Sequence, residues 1–490
     1  MSDRASATSK RGPAGPKRRA WLGSETWQVE SSRRATLRSA LTPERLLVLS
    51  FAGLIALGTL GFRTLPGLYV GEPLSWLDAL FTATSAVCVT GLVVVDTATY
   101  FTTLGQAYVL LLIQLGGLGI LTLTTAVILA LGGRLSLRHR AVSAATAEVA
   151  PEVDLRHLIR AVVRFTLVLE AAGALVLFAV WLPDFTDPAA AAWHAVFQAV
   201  SAFCNAGFST FSDSLTGFRT SALTLAPMMA LIVLGGLGFI ALEDLRAWRR
   251  GRGDGRRIRL SLHSRLVFAV SALLLVGGWL LYAVLEWNNV LAPLAPWDRA
   301  LNALFMSVTA RTAGFNTVDH SMMADSTNFL TIVLMSIGGS PGSTAGGLKT
   351  TTVAVIVLVA VARMRGSPVT SVGGRTIPEE SIQRAVGLFV VGFTVVTGAI
   401  FLYAVTHLSP RAEVGSLGFL HFMFEAVSAF NTVGLSMGAT GALDSTGKAM
   451  TIVLMYAGRV GPLVIAAALS RTHAAAGKNF RYAYEDVIIG

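Results

Sequence analysis

The chain has 490 residues, 53% of them hydrophobic and 14% charged, with a mean hydropathy of +0.63. Long apolar stretches of this kind exclude an ordinary water-soluble domain and define a polytopic membrane protein. The formal charge of +11 would suit a nucleic-acid partner, but 31 of the 39 Lys and Arg fall in five zones, at residues 1–46, 132–164, 246–265, 363–384 and 471–481. That distribution reports membrane topology instead.

Positive charge concentrates in cytoplasmic segments, so all five zones, including both termini, are expected on the cytoplasmic side of a multi-pass protein surrounded by membrane lipids. No nucleic-acid partner is expected. Residues 1–43 are polar and basic, and no cleavable leader is expected in them. They read either as a disordered extension or as an interfacial basic helix around "TWQVESSRRATLRSAL".

From residue 44 each interval between basic zones has a long apolar stretch, a short one and a second long one. The long stretches fall near 44–63 and 103–131, 158–182 and 222–245, 264–286 and 326–362, and 382–408 and 446–470. Each is expected to cross a hydrocarbon core that needs roughly 20 helical residues. The short stretches near 76–90, 192–206, 298–313 and 417–433 cannot span; they are expected to enter as helices and return as non-helical backbone. This divides the chain into units 44–131, 158–245, 264–362 and 382–470, closed by a tail, 471–490.

The units repeat. "FTATSAVCVTGL" begins at Phe81, "FQAVSAFCNAGF" at Phe197, "FMSVTARTAGF" at Phe305 and "FEAVSAFNTVGL" at Phe424. Each has Phe, Ser or Thr four residues on, Ala, and then a glycine: Gly91, Gly207, Gly314 or Gly434. The third copy is one residue shorter. The second long stretches repeat too, with "LGGLG" at 115–119 and 234–238, "IGGSPG" at 337–342 and "AGRVG" at 457–461. Close helix packing would explain those glycines, but not a glycine after four copies of the first motif. The expected fold is therefore an all-α membrane protein with four pseudo-symmetric helix–pore-loop–helix units around one central ion pore.

Non-helical backbone at membrane depth is tolerated only where it is buried or lines water. Carbonyl oxygens from four such segments can replace the hydration shell of a cation, and aiming successive carbonyls one way calls for positive φ, hence glycine. The expected filter comprises Val89, Thr90 and Gly91; Asn205, Ala206 and Gly207; Thr312, Ala313 and Gly314; and Thr432, Val433 and Gly434. Potassium bound by backbone carbonyls is the expected ligand, since no ring of acidic side chains occurs there. Asp96, Asp213, Asp319 and Asp444 follow the four filters, either concentrating cations at the mouth or serving as ordinary loop charges.

In the third unit, "MSIGGSPGSTAGGLKTTTV" interrupts an apolar stretch nearly twice the length of one crossing. It approaches a phosphate-binding loop, but Leu348 separates Gly347 from Lys349 and no strand precedes it. Glycines each cost roughly 1 kcal/mol in a helix, and Pro341 removes a backbone donor. Gly338, Gly339, Gly342, Gly346 and Gly347 are therefore expected to break the helix into a movable intramembrane loop, 336–350. Lys349 and Arg459 place charge at bilayer depth. Such residues face a water-filled path, where they would raise a barrier to cations; alternatively Lys349 snorkels to the interface and Arg459 pairs with a carboxylate or a helix end. Arg311, three residues before Gly314, is expected to pair with Glu425 behind the filter and support it, or each is solvated in the outer vestibule. The eight histidines are scattered without metal-ligand spacing, Cys88 and Cys204 imply no disulfide framework, and no enzymatic activity is expected.

The repeated units, the four filter glycines, "GGSPGSTAGGLKT", "GRVGPL" at 458–463 and the closing "YEDVIIG" together resemble the TrkH/KtrB/HKT superfamily from about residue 44 to the C-terminus. Eight expected spans, with none in the first 43 residues, resemble the KtrB type, since TrkH has two extra N-terminal helices. The resemblance implies a potassium-conducting pore in the bacterial inner (plasma) membrane, loop 336–350 as its gate and Arg459 as an arginine facing the pore below the filter. It also implies a homodimer on cytoplasmic nucleotide-binding, RCK-type KtrA-like subunits, with uptake often sodium-dependent; no nucleotide is expected on this chain itself. Some relatives that favour sodium carry serine at the first filter glycine, whereas this chain has Gly91, so potassium is expected. The rival reading is a secondary Na+/K+ or H+/K+ symporter with alternating access, whose folds also carry broken helices and repeats. Those repeats are often inverted, while the four units here all start and end on one side.

Overall fold

A computed structural model describes residues 43–119, 155–253, 259–407 and 417–461; the basic N-terminal extension and the C-terminal tail lie outside them. The described chain is helical apart from loops and one small hairpin. The first unit contributes α1 (Pro43–Thr64), α2 (Trp76–Val87) and α3 (Thr103–Gly117); the second, α4 (Leu155–Trp181), α5 (Pro188–Cys204), α6 (Ala222–Leu237) and α7 (Phe239–Gly253). The third contributes α8 (Leu262–Glu286), α9 (Pro296–Thr309), α10 (Asp325–Ser336) and α11 (Thr350–Met364); the fourth, α12 (Glu379–His407), α13 (Phe419–Phe430) and α14 (Ser445–Val460). Between α11 and α12, β1 (Ser371–Val372) pairs antiparallel with β2 (Arg375–Thr376). Gly373 and Gly374 turn that hairpin with φ of 58° and 77°, as a two-residue turn of this hand requires.

The first helix of each unit is long and apolar enough to cross a bilayer, over Leu47–Thr64, Ile159–Trp181, Leu262–Glu286 and Glu379–His407. Large side chains on these helices, among them Leu57, Leu175, Leu281 and Phe401, stay exposed, as an outer layer against lipid demands. The inner layer is the set of short helices α2, α5, α9 and α13. At 12 residues, α2 and α13 extend only about 18 Å, well short of the roughly 30 Å core.

The repeated motif explains why these short helices lie inside. Phe81, Phe197, Phe305 and Phe424 are completely buried anchors, and Ala86, Ala202, Ala310 and Ala429 are buried where neighbours press closest. In the first, second and fourth units a helix glycine brings the second helix onto its own short helix: a Cβ on Gly116, Gly235 or Gly458 would stand 2.0 Å or less from the carbonyl oxygen of Val87, Phe203 or Phe430.

Of the second long stretches, the one in the second unit departs from the continuous crossing expected of it, while the one in the third is broken where a loop was expected. In the second unit α6 and α7 meet at a 98° bend, and in the third Ser336 and Thr350 bound a loop. In the first and fourth, the helices end at Gly117 and Val460, and the remainders of 103–131 and 446–470 lie largely outside the described residues. In the second and fourth units the helix stops directly before the last glycine of the motif, whereas in the third it has already ended at Ser336 and Gly342 turns the loop. Gly119, Gly238, Gly342 and Gly461 have φ of 79°, 86°, 70° and 93°, incompatible with a continuing right-handed helix. Close packing accounts for Gly116, Gly235 and Gly458, and helix termination for Gly238 and Gly461.

Candidate ion filter and its loop

After each short helix the backbone takes two left-handed steps separated by one residue. The first falls on Val89, Asn205, Thr312 and Thr432, with φ of 55°, 57°, 70° and 50°; the second falls on Gly91, Gly207, Gly314 and Gly434, with φ of 93°, 70°, 78° and 93°. Non-glycine residues occupy this region uncommonly, and for β-branched Val and Thr it is a true outlier. Strain of this kind persists only where surrounding bonds dictate it, and here the repeated hydroxyl supplies them. Ser85 donates to the Leu92 carbonyl at 2.8 Å and accepts from the Gly91 amide at 3.1 Å. Ser201 donates to Phe208, Thr309 to Phe315, and Ser428 accepts from the Gly434 amide. Thr90, Ala206 and Val433 also donate their amides to the carbonyls of Ser85, Ser201 and Ser428. In the shorter third copy, Ala313 donates to Thr309 instead.

The four glycines close a ring. A Cβ on Gly91 would stand 2.4 Å from the Ala206 oxygen, on Gly207 2.9 Å from the Gly314 Cα, on Gly314 2.5 Å from the Val433 oxygen, and on Gly434 2.1 Å from the Thr90 oxygen. Each glycine thus abuts the next unit in the order first, second, third, fourth, first. Thr90, Thr312 and Thr432 also carry buried hydroxyls with no hydrogen-bond partner among the described residues. Replacing Ser428 with Ala would strand the half-buried Gly434 amide, a loss of about 1 kcal/mol. A lowered thermal midpoint with the helical circular-dichroism spectrum unchanged is the expected result.

The loop of the third unit presses on the deep end of this ring. Gly338 donates to the Leu348 carbonyl at 2.8 Å, closing the loop at its base. Ser340 and Thr344 donate to the carbonyls of Gly236 and Gly235 in α6, and the Asn205 amide lies 3.1 Å from the Thr344 hydroxyl. On the other side Leu348 donates to Asn431 Oδ1 at 3.4 Å, and a Cβ on Gly346 would meet the Thr432 hydroxyl at 1.9 Å. Gly339 and Gly347 are likewise pressed on Ala345 and Asn431, while Gly342 has a carbonyl that accepts from Phe239.

Lys349 folds back on this loop, its Nζ 2.6 Å from the Ala345 carbonyl. Arg459, only 6% exposed, donates one guanidinium nitrogen to the Thr344 carbonyl and another to Gly116 of α3 at 2.8 Å. Its charge is thus held by backbone carbonyls of the first and third units. Among the described residues Lys349 does not snorkel and Arg459 has no carboxylate partner, but its bond to Gly116, in the last turn of α3, is the helix-end contact expected as the alternative.

Arg311 and Glu425 do not pair. Arg311 reaches the Ser271 carbonyl and hydroxyl at 3.4 Å and the Gly338 carbonyl at 3.5 Å, whereas buried Glu425 accepts from Ser436 at 2.8 Å and from Thr440. Their depths explain this. Arg311 lies six residues after its motif Phe and Glu425 only one, a difference of about 8 Å along a helix. Charge reversal at both sites is therefore expected to leave the single losses additive to within about 0.5 kcal/mol in a thermal-denaturation double-mutant cycle.

The acidic set is occupied by local structure. Asp96, Asp319 and Asp444 cap short or long helices by accepting from the amides of Ala98, Ser321 and Gly447. The Gly447 amide, with His407 beside it, holds the Asp444 carboxyl below its ordinary range. Asp213 accepts from the Thr216 amide through its own carbonyl. Sequence reasoning also missed buried Glu170 in α4, which accepts from Gln114 at 3.0 Å and lies 3.7 Å from Cys204 Sγ. A lone acid inside "TLVLEAAGAL" was the available signal.

A mostly helical, multi-pass scaffold with short helices converging on a closed ring of non-helical backbone fits a membrane transport protein. The chain belongs to the TrkH family of cation transport proteins, whose match extends over residues 55–481; it is not an enzyme. It is 37% identical over 456 residues to the potassium/sodium uptake protein NtpJ of Enterococcus hirae, covering 93% of this chain and 98% of the relative. It is 38% identical to the Ktr system potassium uptake protein B of Vibrio alginolyticus, covering 87% and 91%, and 35% identical to that of Bacillus subtilis, covering 92% and 97%. Its fold is similar to the crystal structure of the potassium transporter TrkH from Vibrio parahaemolyticus, with a TM-score of 0.69 at 21% identity over 88% of this chain and 86% of that one.

Proposed function

We propose that this protein is the ion-translocating membrane subunit of a potassium uptake system, conducting K+ through the four-glycine ring and gated by loop 336–350. The observation that carries the reading is the ring itself: four left-handed glycines, each against the next unit, with the preceding carbonyls free of helical bonding. Carbonyls held this way replace water around a cation without a formal negative charge. The last turns of α2, α5, α9 and α13 converge there, and their partly negative ends favour a cation. The names of the relatives, potassium and potassium/sodium uptake proteins, support the choice of ion.

The loop acts as the gate because it touches filter residues of both neighbouring units, Asn205 and Thr432, and is tied by Arg459. Membrane potential supplies about 2.3 kcal/mol per charge per 100 mV, enough to draw K+ inward without chemical coupling. The Ktr-type relatives belong to named systems, so this chain works with further subunits: a second copy of itself and a cytoplasmic RCK-type nucleotide-binding partner. Both termini face the cytoplasm of the plasma membrane, in keeping with the five basic zones. The test is K+ and Na+ flux into proteoliposomes holding this chain, with the partner added in a parallel series. K+-selective flux, with or without activation by Na+, is the expected result; saturable flux strictly coupled to Na+ movement and indifferent to Gly434 would overturn the pore reading in favour of alternating access.

A further inference from the structure

Beside the loop lies a cavity of about 390 Å³, within the range that holds small ligands. Its walls are mainly apolar, with Phe165 of α4, Phe239 and Ile240 of α7, Leu388 of α12 and Phe430 of α13 among them. Lys349 and Arg459 also line it, and no acidic residue does among the described residues. Neither cation forms an ion pair among the described residues, and Arg459 Nε is buried without a hydrogen-bond partner. An arginine keeps its proton in any protein setting, and a buried charge without a counter-charge is costly.

Two further features select the ligand. The apolar walls continue past the inner helices to α4 and α12, whose other faces expose Leu167, Val168, Phe389 and Phe393, so the site adjoins the lipid-facing layer. And the loop itself, from Pro341 to Lys349, forms one wall, so whatever fills the cavity takes the space beside it. An inorganic anion would satisfy the guanidinium but leave the walls unfilled, and a neutral apolar molecule would do the reverse.

We propose that this cavity binds a single-chain anionic amphiphile, a long-chain carboxylate, with its head on Arg459 and its chain along Phe165, Phe239 and Ile240. By occupying the space beside the loop it keeps the loop against the filter. This regulatory consequence rests on the loop being the gate; the binding site does not.

The probe is dibromostearate, with the full chain carrying Phe165→Trp reconstituted in phosphatidylcholine bilayers. Saturable quenching of the added fluorescence, reversed by oleate and at least tenfold less well by oleyl alcohol, is expected, with Arg459→Gln weakening binding at least tenfold and Arg459→Lys restoring part of it. The oleate against oleyl alcohol comparison needs no change at Arg459, so it stands if that variant fails to fold. Absence of saturable quenching, or equal displacement by the alcohol, would overturn the site. Quenching by brominated phosphatidylglycerol but not by the free acid would overturn the single-chain ligand in favour of a bilayer phosphate head. Binding with K+ flux unchanged would support the site and sink the gate reading instead.

Discussion

Gly434→Ser is expected to reduce the K+ over Na+ preference at least tenfold while leaving a folded protein. Gly434 has φ of 93°, a region that costs an L-residue about 1–2 kcal/mol. Its Cβ would stand 2.1 Å from the Thr90 carbonyl oxygen, an oxygen proposed to face the ion. Relief requires that carbonyl to move, and Thr90 belongs to the first unit, so damage from the fourth passes across the ring. A preference of tenfold corresponds to only about 1.4 kcal/mol, which a misplaced carbonyl readily removes. Paired K+ and Na+ flux into proteoliposomes measures the effect. Unchanged preference in a folded Gly434→Ser protein would mean that the four-glycine ring does not select the ion.

Arg459→Gln is expected to raise K+ flux roughly tenfold in the absence of any cytoplasmic partner. The guanidinium joins the Thr344 carbonyl of the loop to Gly116 of α3, and a hydrogen bond to a charged group contributes about 1.5–3 kcal/mol. Losing it moves the balance between held and released loop by about that amount, and removes a positive charge from the proposed conduction path. Asn431→Ala, which deletes the acceptor for the Leu348 amide at 3.4 Å, is expected to act in the same direction but more weakly. A flux indifferent to Arg459 would refute both the clamp and the electrostatic barrier.

Much of the architecture was legible because the chain repeats itself. The motif Phe, then Ser or Thr four residues on, then Ala is written four times, and the burial of Phe81, Ser85 and Ala86 with their counterparts shows why each letter is kept. The glycines were legible for the same reason. Less legible were contacts between units, which no local pattern encodes: Asn205 on Thr344, Asn431 on Leu348, and Arg459 across to Gly116. The pairing of Arg311 with Glu425 failed on depth, a property that spacing within the motif would have supplied. The bend at Gly238 was hidden because an apolar stretch such as "LGGLGFIAL" reads as one crossing by composition, whereas its course depends on the left-handed backbone at one residue.

Among the described residues the third unit alone carries the long loop, and this has a consequence for how such a protein can be encoded. In an assembly of four identical chains, a loop of this bulk would occur four times and compete for the same space under one ring. Writing all four units into a single polypeptide removes that conflict. The copies are free to diverge, so one supplies the proposed gate, its neighbours supply Asn205 and Asn431 to receive it, and the fourth unit also supplies Arg459 to hold it. A single polypeptide thus permits one unpaired loop under the ring that strict rotational symmetry would forbid.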